Sequence, residues 1–280
     1  MVIKLLLTLL LFTPTLRAKE RIITLSPSVN EIVYALGMGK SVVGNTKYCY
    51  YPEASQSVSK VGGYFSPSLE KIISLDPTLV IMQNNNHKLN SQLKQLHIKT
   101  KMVKIDRLKN IKSSILELGE VFNKKERAMI IVDKINSSLK ALKNIVLNKK
   151  ILIVFGENST LSKNIFVAGQ NLYFNEIIEA SDNTNALQSQ RKGQPILNME
   201  NIISTNPDIV ILLAHAMREK GLREKDLIAP WLKLPINASK NATIYVEEKR
   251  YAGIPSDRLI LFLKDFKEIL LDYQKRSLFN

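Results

Sequence analysis

Two segments of the chain share one pattern of apolar and polar positions. Each is a short amphipathic stretch followed directly by a run of β-branched residues. The segment at 69–82 recurs at 199–212, and half of the positions are identical. Each copy predicts a helix that is capped by Ser68 or Asn198, ends at an Asp-Pro or Asn-Pro pair, and leads into an uninterrupted apolar strand. Such strands are typical of parallel sheets covered on both faces. We therefore predict an α/β fold with two similar lobes and parallel-rich sheets.

The stretch between the two copies has the spacing of a long amphipathic helix. Residues 124–146 contain no Pro or Gly, and their apolar side chains recur every three or four positions. At 1.5 Å per residue, this predicts a backbone helix about 34 Å long. The chain then divides into an N-terminal lobe at 19–122, the connecting helix at 123–147 and a C-terminal lobe at 148–280, with a ligand cleft between the lobes. The alternative is a helix that packs wholly within one lobe.

The first eighteen residues have the pattern of a signal peptide. Lys4 supplies the positive end, residues 5–12 form a short apolar core, and Pro14 precedes the small residue Ala18. The core is shorter than the roughly 20 residues that a permanent membrane anchor needs, which is the alternative interpretation. No cysteine directly follows the core, so the sequence does not support a lipid anchor. We expect residues 1–18 to be removed and the protein to be periplasmic.

The formal net charge of +15 raises the question of nucleic-acid binding. Lysines are spread along the chain with acidic residues between them, and the sequence has no arginine-rich block or RNA-binding aromatic motif. We expect a solvated basic surface and no nucleic-acid partner, although the positive field would favour an anionic ligand or membrane. Cys49 is the only cysteine, which excludes an internal disulfide and a cysteine-based zinc cluster.

The sequence contains no catalytic motif. An enzyme would need a nucleophile with its base, a phosphate-binding loop or a dense metal site, and Val61-Gly-Gly-Tyr64 is too short for a nucleotide loop. No spacing of His, Cys and acidic residues predicts a direct metal site. We expect a protein that is not an enzyme and has no intrinsic cofactor. A structural or adhesive protein of the surface or periplasm is the alternative class.

Three short segments and the first copy of the repeat carry a family resemblance. The segments are Leu25-Ser-Pro-Ser-Val-Asn-Glu-Ile-Val-Tyr-Ala-Leu-Gly37, Tyr48-Cys-Tyr-Tyr-Pro52 and Val61-Gly-Gly-Tyr64. Through them the sequence resembles the class III periplasmic substrate-binding proteins of ABC importers, over nearly the whole chain after the leader. The resemblance implies a monomer that captures a metal chelate and delivers it to a permease dimer. The chelate would be an iron siderophore, haem or a cobalamin-type corrinoid, with a nickel chelate as a further alternative.

The resemblance also implies how the protein contacts the importer. Glu70 and Glu200, at the same position in the two copies of the repeat, look like the carboxylates that dock onto arginines of the permease dimer. The repeat is independent support, because a two-lobed protein that meets two membrane subunits needs one charged contact on each lobe. A carboxylate in a first helical turn also suits the helix dipole, so simple helix capping is the alternative.

Three tyrosines are the strongest candidates for ligand binding. The cleft is expected at the carboxyl ends of the strands, where open α/β sheets bind ligands. Tyr50, Tyr64 and Tyr251 lie in loops predicted to reach that edge. A tyrosine offers a flat apolar face to a macrocycle or catechol and a hydroxyl that can donate a hydrogen bond or ligate iron.

Polar candidates come from the same set of loops. Arg191 and Arg250 can meet carboxylates or catecholates, and His87 or His215 can supply an axial ligand to haem. Asn85 belongs to a predicted wall segment of the first lobe. Arg258 is expected instead to cap or pair on the last helix.

Overall fold

The computed structural model describes residues 20–162, 164–189 and 194–279, and it describes residue 279 without its side chain. The predicted signal peptide at 1–18 lies outside the described residues. Within them, two α/β lobes are each built on a largely parallel sheet, which confirms the predicted fold class. No helix in this part of the chain is long and apolar enough to span a membrane.

A five-stranded parallel sheet forms the N-terminal lobe. Its strands are β1 Ile22–Thr24, β2 Val42–Asn45, β3 Ser59–Lys60, β4 Leu79–Gln83 and β5 Thr100–Val103. Their spatial order is β3-β2-β1-β4-β5. The helices are α1 Pro27–Ala35, α2 Leu69–Ser74, α3 His87–Gln95 and α4 Leu108–Val121. All three residues of the central strand β1 are buried, because helices cover both faces of the sheet.

The connecting helix, α5, is shorter than the sequence pattern predicts. It spans Lys125–Lys140, 16 residues, or about 24 Å at the usual rise per residue. The prediction of a helix reaching residue 146 is therefore wrong. Leu142 and Val146 are buried, but they lie in turns beyond the helix. Asn144 there has a φ of 59°, a left-handed conformation that a continuing helix excludes.

A second sheet, mixed in direction, forms the C-terminal lobe. Its strands are β6 Lys150–Phe155, β7 Ile165–Val167, β8 Thr184–Asn185, β9 Ile196–Leu197, β10 Ile209–Leu213 and β11 Ile244–Glu247. Their order is β11-β10-β6-β7-β9, with β8 also paired to β6. Only the pairings of β7 are antiparallel among those described. The helices are α6 Tyr173–Ala180, α7 Met199–Thr205, α8 Glu224–Leu232, α9 Asn237–Lys240 and α10 Leu259–Phe279.

Both copies of the sequence repeat form the predicted helix and strand, α2 with β4 and α7 with β10. The side chains of Ser68 and Asn198 each accept a hydrogen bond from the backbone N–H three residues later, at 3.3 and 2.8 Å. Asp76 and Asn206, directly before the two prolines, share a positive φ of 43° and 42°. Short polar side chains tolerate this conformation. The same local chemistry therefore produces the same turn in both lobes.

The apolar core is continuous between the lobes. One cluster of buried side chains extends from Ile22 of β1 to Ile151 of β6 through helices α1, α4, α5, α6 and α10. Each lobe adds a smaller cluster of its own, which includes Ile72 in the first lobe and Trp231 in the second. Helix α5 packs against both α4 and α10, so it belongs to the shared layer and not to one lobe.

Candidate functional site

A cleft lies between the lobes, at the carboxyl ends of strands from both sheets. It consists of two adjoining cavities of about 550 and about 700 Å³. Pro27 and Tyr48 of the first lobe and Gly253 and Ile254 of the second line both cavities. These residues follow β1, β2 and β11, because parallel strands place their carboxyl ends along one edge of a sheet.

The smaller cavity is mostly apolar and has aromatic walls. The first lobe contributes Tyr48, Tyr64 and Phe65, and the second contributes Phe155, Tyr173 and Phe174. Aromatic rings of this kind bury large areas against a flat ligand and orient it. The two lobes therefore present opposing apolar surfaces to whatever occupies this half of the cleft.

Tyr64 is held by hydrogen bonds to side chains of its own lobe. Its hydroxyl donates to Oε1 of Gln83 at 2.7 Å and accepts from Nδ2 of Asn85 at 3.0 Å. Burial raises the pKa of this phenol, while the bond from Asn85 lowers it in part, so the group stays protonated at neutral pH. The Tyr64 ring meets Phe65 edge to face at 4.5 Å. Phe65 itself is 86% exposed, at the mouth of the cleft.

The larger cavity carries most of the charged side chains of the cleft. The Arg250 guanidinium lies over the ring of Tyr50 at 4.6 Å from its centroid and forms an ion pair with Glu219. Tyr50 belongs to the first lobe and Arg250 to the second, so this contact spans the cleft. Glu219 is largely exposed, and an ion pair with an exposed partner contributes little to stability. Arg250 is therefore available to an anionic group of a ligand.

His215 lies two residues after the end of β10 and lines the larger cavity. It also lines a third cavity of about 430 Å³, together with Phe155 and Phe166. The loop that carries it is fixed by Glu157, which accepts hydrogen bonds from the Ala216 N–H and the Lys220 ammonium at 2.9 and 2.6 Å. Burial raises the pKa of the Glu157 carboxyl, but these two bonds and the positive charge of Lys220 together leave the pKa below its ordinary value.

Sequence reasoning missed a buried ion pair on the wall of the larger cavity. Arg258 was expected to cap or pair on the last helix, but it reaches the other lobe and pairs with Glu31 of α1. Its guanidinium also stacks on the ring of Tyr51 at 3.8 Å. Glu31 lies among buried neighbours on both sides in the sequence, at Asn30 and Ile32. A charged residue close to Val29, Ile32 and Val33 was the available signal.

Asp257, beside this ion pair, has one carboxylate oxygen without a hydrogen-bond partner among the described residues. Burial, together with the nearby Glu31 carboxylate, raises its pKa to about 6. Because the folded protein then holds this proton more tightly than the unfolded chain, stability falls as the pH rises from about 4 to about 6. Asp257→Asn should therefore stabilise the protein at pH 7.5 by about 1–3 kcal/mol.

Urea unfolding at two pH values tests this prediction. The advantage of Asp257→Asn should disappear near pH 4, where the native carboxyl is protonated. Asp133→Asn is the control, since Asp133 is exposed on α5. If Asp257→Asn raises the free energy of unfolding equally at both pH values, the ionisation of Asp257 is not the cause of the increase.

Several predicted site residues lie away from the two main cavities. The Tyr251 hydroxyl donates to Oδ2 of Asp265 at 2.6 Å, and its ring packs against the shared core. His87 begins α3 with an exposed side chain and is absent from the residues that line the described cavities. Asn85 reaches the site only through Tyr64. Arg191 lies outside the described residues.

Glu70 and Glu200 occupy matching positions on the two lobes. Each is exposed and lies in the first turn of its helix, α2 or α7. Neither forms an ion pair among the described residues. Both carboxylates are therefore free to meet a cation of another protein.

Comparison with known proteins gives consistent results over most of the chain. The chain is 28% identical to the vitamin B12-binding protein of Vibrio vulnificus over 264 residues, and the aligned region covers 93% of this chain and 94% of the relative. It is 27% identical over 243 residues to the high-affinity heme uptake system protein IsdE of Staphylococcus aureus, with coverage of 81% and 82%.

A solved structure of similar fold is the periplasmic heme-binding protein RhuT of Roseiflexus, in apo form. The TM-score is 0.75 at 21% identity, over 91% of this chain and 99% of that one. The family model described as periplasmic binding protein matches residues 22–246. This match includes most of both sheets and the cleft residues before position 247, among them Tyr64 and His215. The chain therefore belongs to the periplasmic binding protein family.

Proposed function

We propose that this protein captures a macrocyclic metal complex, haem or a corrinoid, in the cleft between its lobes and delivers it to an ABC importer from the periplasm. The observation that carries the proposal is the cleft itself, where aromatic side chains of both lobes face one space. Such walls suit a broad ligand with flat apolar faces. The vitamin B12 and heme proteins among the relatives add support.

The two halves of the cleft differ in their chemistry. The smaller cavity suits the apolar part of a ligand, while Arg250 in the larger one suits a carboxylate or another anionic group. His215 faces the larger cavity and can supply an axial nitrogen to iron. These features favour haem, which combines an apolar edge, two carboxylates and an open iron coordination position. A corrinoid would depend more on the aromatic walls.

Titration of the purified mature protein with three coloured ligands tests the proposal. Haemin, cyanocobalamin and a ferric catecholate siderophore have distinct visible absorption spectra. We expect one of the two macrocycles to bind at one molecule per protein. If only the siderophore binds, the ligand of this protein is a siderophore and not a macrocycle. No binding of any of the three would contradict the proposal.

Tyr64→Ala should weaken binding of the macrocycle by about 1–3 kcal/mol, because the variant loses a ring that two hydrogen bonds fix at the wall of the cleft. Isothermal titration measures the change. Tyr251→Phe controls for the loss of a tyrosine hydroxyl outside the cleft, since the Tyr251 hydroxyl bonds to Asp265. Equal affinity of Tyr64→Ala and the wild type would place Tyr64 outside the ligand contact.

Delivery to the importer is proposed to use Glu70 and Glu200. The support is their matching exposure in the first turn of α2 and α7, one on each lobe. A permease with two similar subunits would present one cation to each carboxylate, and such pairs fix the orientation of a complex. The protein would act as a monomer in this arrangement.

A further inference from the structure

We propose that Glu31, Ser256 and Arg258 form an interlobe tie that sets the width of the cleft and so acts as a positioning element for the ligand. Glu31 belongs to α1 of the first lobe, and the other two residues lie within the three positions before α10 in the second. Oε2 of Glu31 accepts from the Ser256 hydroxyl at 2.5 Å and from Nε of Arg258 at 3.1 Å. Its Oε1 accepts from Nη2 of Arg258. The guanidinium of Arg258 therefore donates hydrogen bonds to both oxygens of the Glu31 carboxylate.

Burial makes this tie different from the other charged contacts of the cleft. The Glu31 side chain is 2% exposed and that of Arg258 is 14% exposed, whereas Glu219, the partner of Arg250, is 63% exposed. A buried carboxylate that loses its partner remains a desolvated charge, so departures from this geometry are costly. An exposed pair can separate at little cost because water solvates both ions. The tie therefore specifies one relative placement of the lobes at this point.

The position of the tie connects it to the ligand cavity. Glu31, Arg258 and Tyr51 all line the larger cavity. Glu31 and Tyr51 also line a separate cavity of about 430 Å³ behind it, where α1, α5 and α10 meet. The tie thus forms part of the partition between the cleft and the junction of the three helices. A change in its geometry would alter the cleft wall directly.

Helix α1 transmits this constraint to both halves of the cleft. It begins with the Ser26 cap, and Pro27 in its first turn lines both cavities. Glu31 lies one turn further along the same helix, so its fixed contact with the second lobe also fixes the position of Pro27. Because Pro27 and Glu31 share one nine-residue helix, the tie sets how far the wall of the first lobe stands from Ile254 in the second.

The test measures the distance between the lobes in the protein without ligand. Spin labels are placed at Lys94→Cys and Lys225→Cys, exposed sites on different lobes; the native Cys49 is buried. Glu31→Gln keeps the shape of the side chain but removes its charge. We expect a broader distance distribution and a loss of macrocycle affinity of about tenfold, or about 1.4 kcal/mol, because the cleft wall is held less firmly. The affinity arm rests on the proposed function.

Two controls separate positioning from general stability. Ile72→Ala opens a cavity in the cluster confined to the first lobe and should lower stability without changing either readout. Glu117→Gln removes the same charge from an ion pair within one lobe. If Glu31→Gln does not fold, Ser256→Ala removes a single donor and should give a smaller change in the same direction.

The outcomes for the tie and for the proposed function are distinct. An unchanged distance distribution in folded Glu31→Gln or Ser256→Ala would overturn the tie, whatever the ligand. A changed distribution with unchanged affinity would overturn its role as a positioning element. Failure of the wild type to bind any chelate would contradict the proposed function, while the distance measurement would still decide whether the tie holds the lobes.

Discussion

Replacing both Glu70 and Glu200 with alanine is expected to reduce ligand uptake by about tenfold for each residue lost, with unchanged ligand affinity. The physical reason is that each carboxylate is exposed on a different lobe and lines neither cavity of the cleft. Loss of one charged contact at an interface weakens docking, and loss of both removes the electrostatic contact from each lobe. The measurement is uptake by cells that depend on this protein, alongside titration of the purified variant.

The matched control for this prediction is Glu126→Ala with Glu224→Ala. These residues are also exposed carboxylates in first helical turns, of α5 and α8. The control therefore changes the net charge and the helix dipoles in the same way, and it should leave uptake near the wild-type rate. Equal uptake by the Glu70/Glu200 variant and the wild type would remove the docking hypothesis and leave a favourable interaction with the helix dipole as the role of the two residues.

Phe262→Ala is expected to destabilise the whole protein by about 3–5 kcal/mol, because it leaves a large cavity in the core shared by the two lobes. Phe262 is fully buried on α10 and lies against Phe174 of α6 and Phe266 of its own helix, with ring centroids at 5.3 and 6.0 Å. Urea unfolding followed by circular dichroism and by Trp231 fluorescence should show one coincident transition at lower denaturant.

Leu261→Ala is the control for this core variant. Leu261 is the neighbouring residue on α10 and is 37% exposed. Its replacement should therefore lower the free energy of unfolding by much less than that of Phe262. Two separate transitions in the Phe262→Ala protein would show that the lobes unfold independently. The shared cluster of side chains would then not be a single cooperative core.

Local sequence chemistry predicted the elements that depend on neighbouring residues. The helix caps at Ser68 and Asn198 and the strands after the two prolines follow from contacts within a few positions. The length of α5 did not follow, since the apolar spacing continues through Leu142 after the helix has ended. Burial preserves the periodic pattern there, although the backbone has already turned. Periodicity reports which side chains are inside, not the conformation that puts them there.

The candidate site was predictable where it depends on strand ends and not where it depends on distant pairs. Tyr50, Tyr64 and Arg250 follow strands, and the fold brings them to one cleft. Tyr251 is adjacent to Arg250 in the sequence, but its side chain packs against the shared core and not in the cleft. The Glu31 and Arg258 pair joins residues 227 positions apart. Only the three-dimensional arrangement of the lobes reveals such a contact.

A crystal structure of the protein with its bound macrocycle tests the central claim most directly. The ligand is expected between the lobes, with Tyr64 of the first lobe on one side and Arg250 or His215 of the second on the other. A macrocycle bound on an outer surface, or in contact with one lobe only, would contradict capture in the cleft.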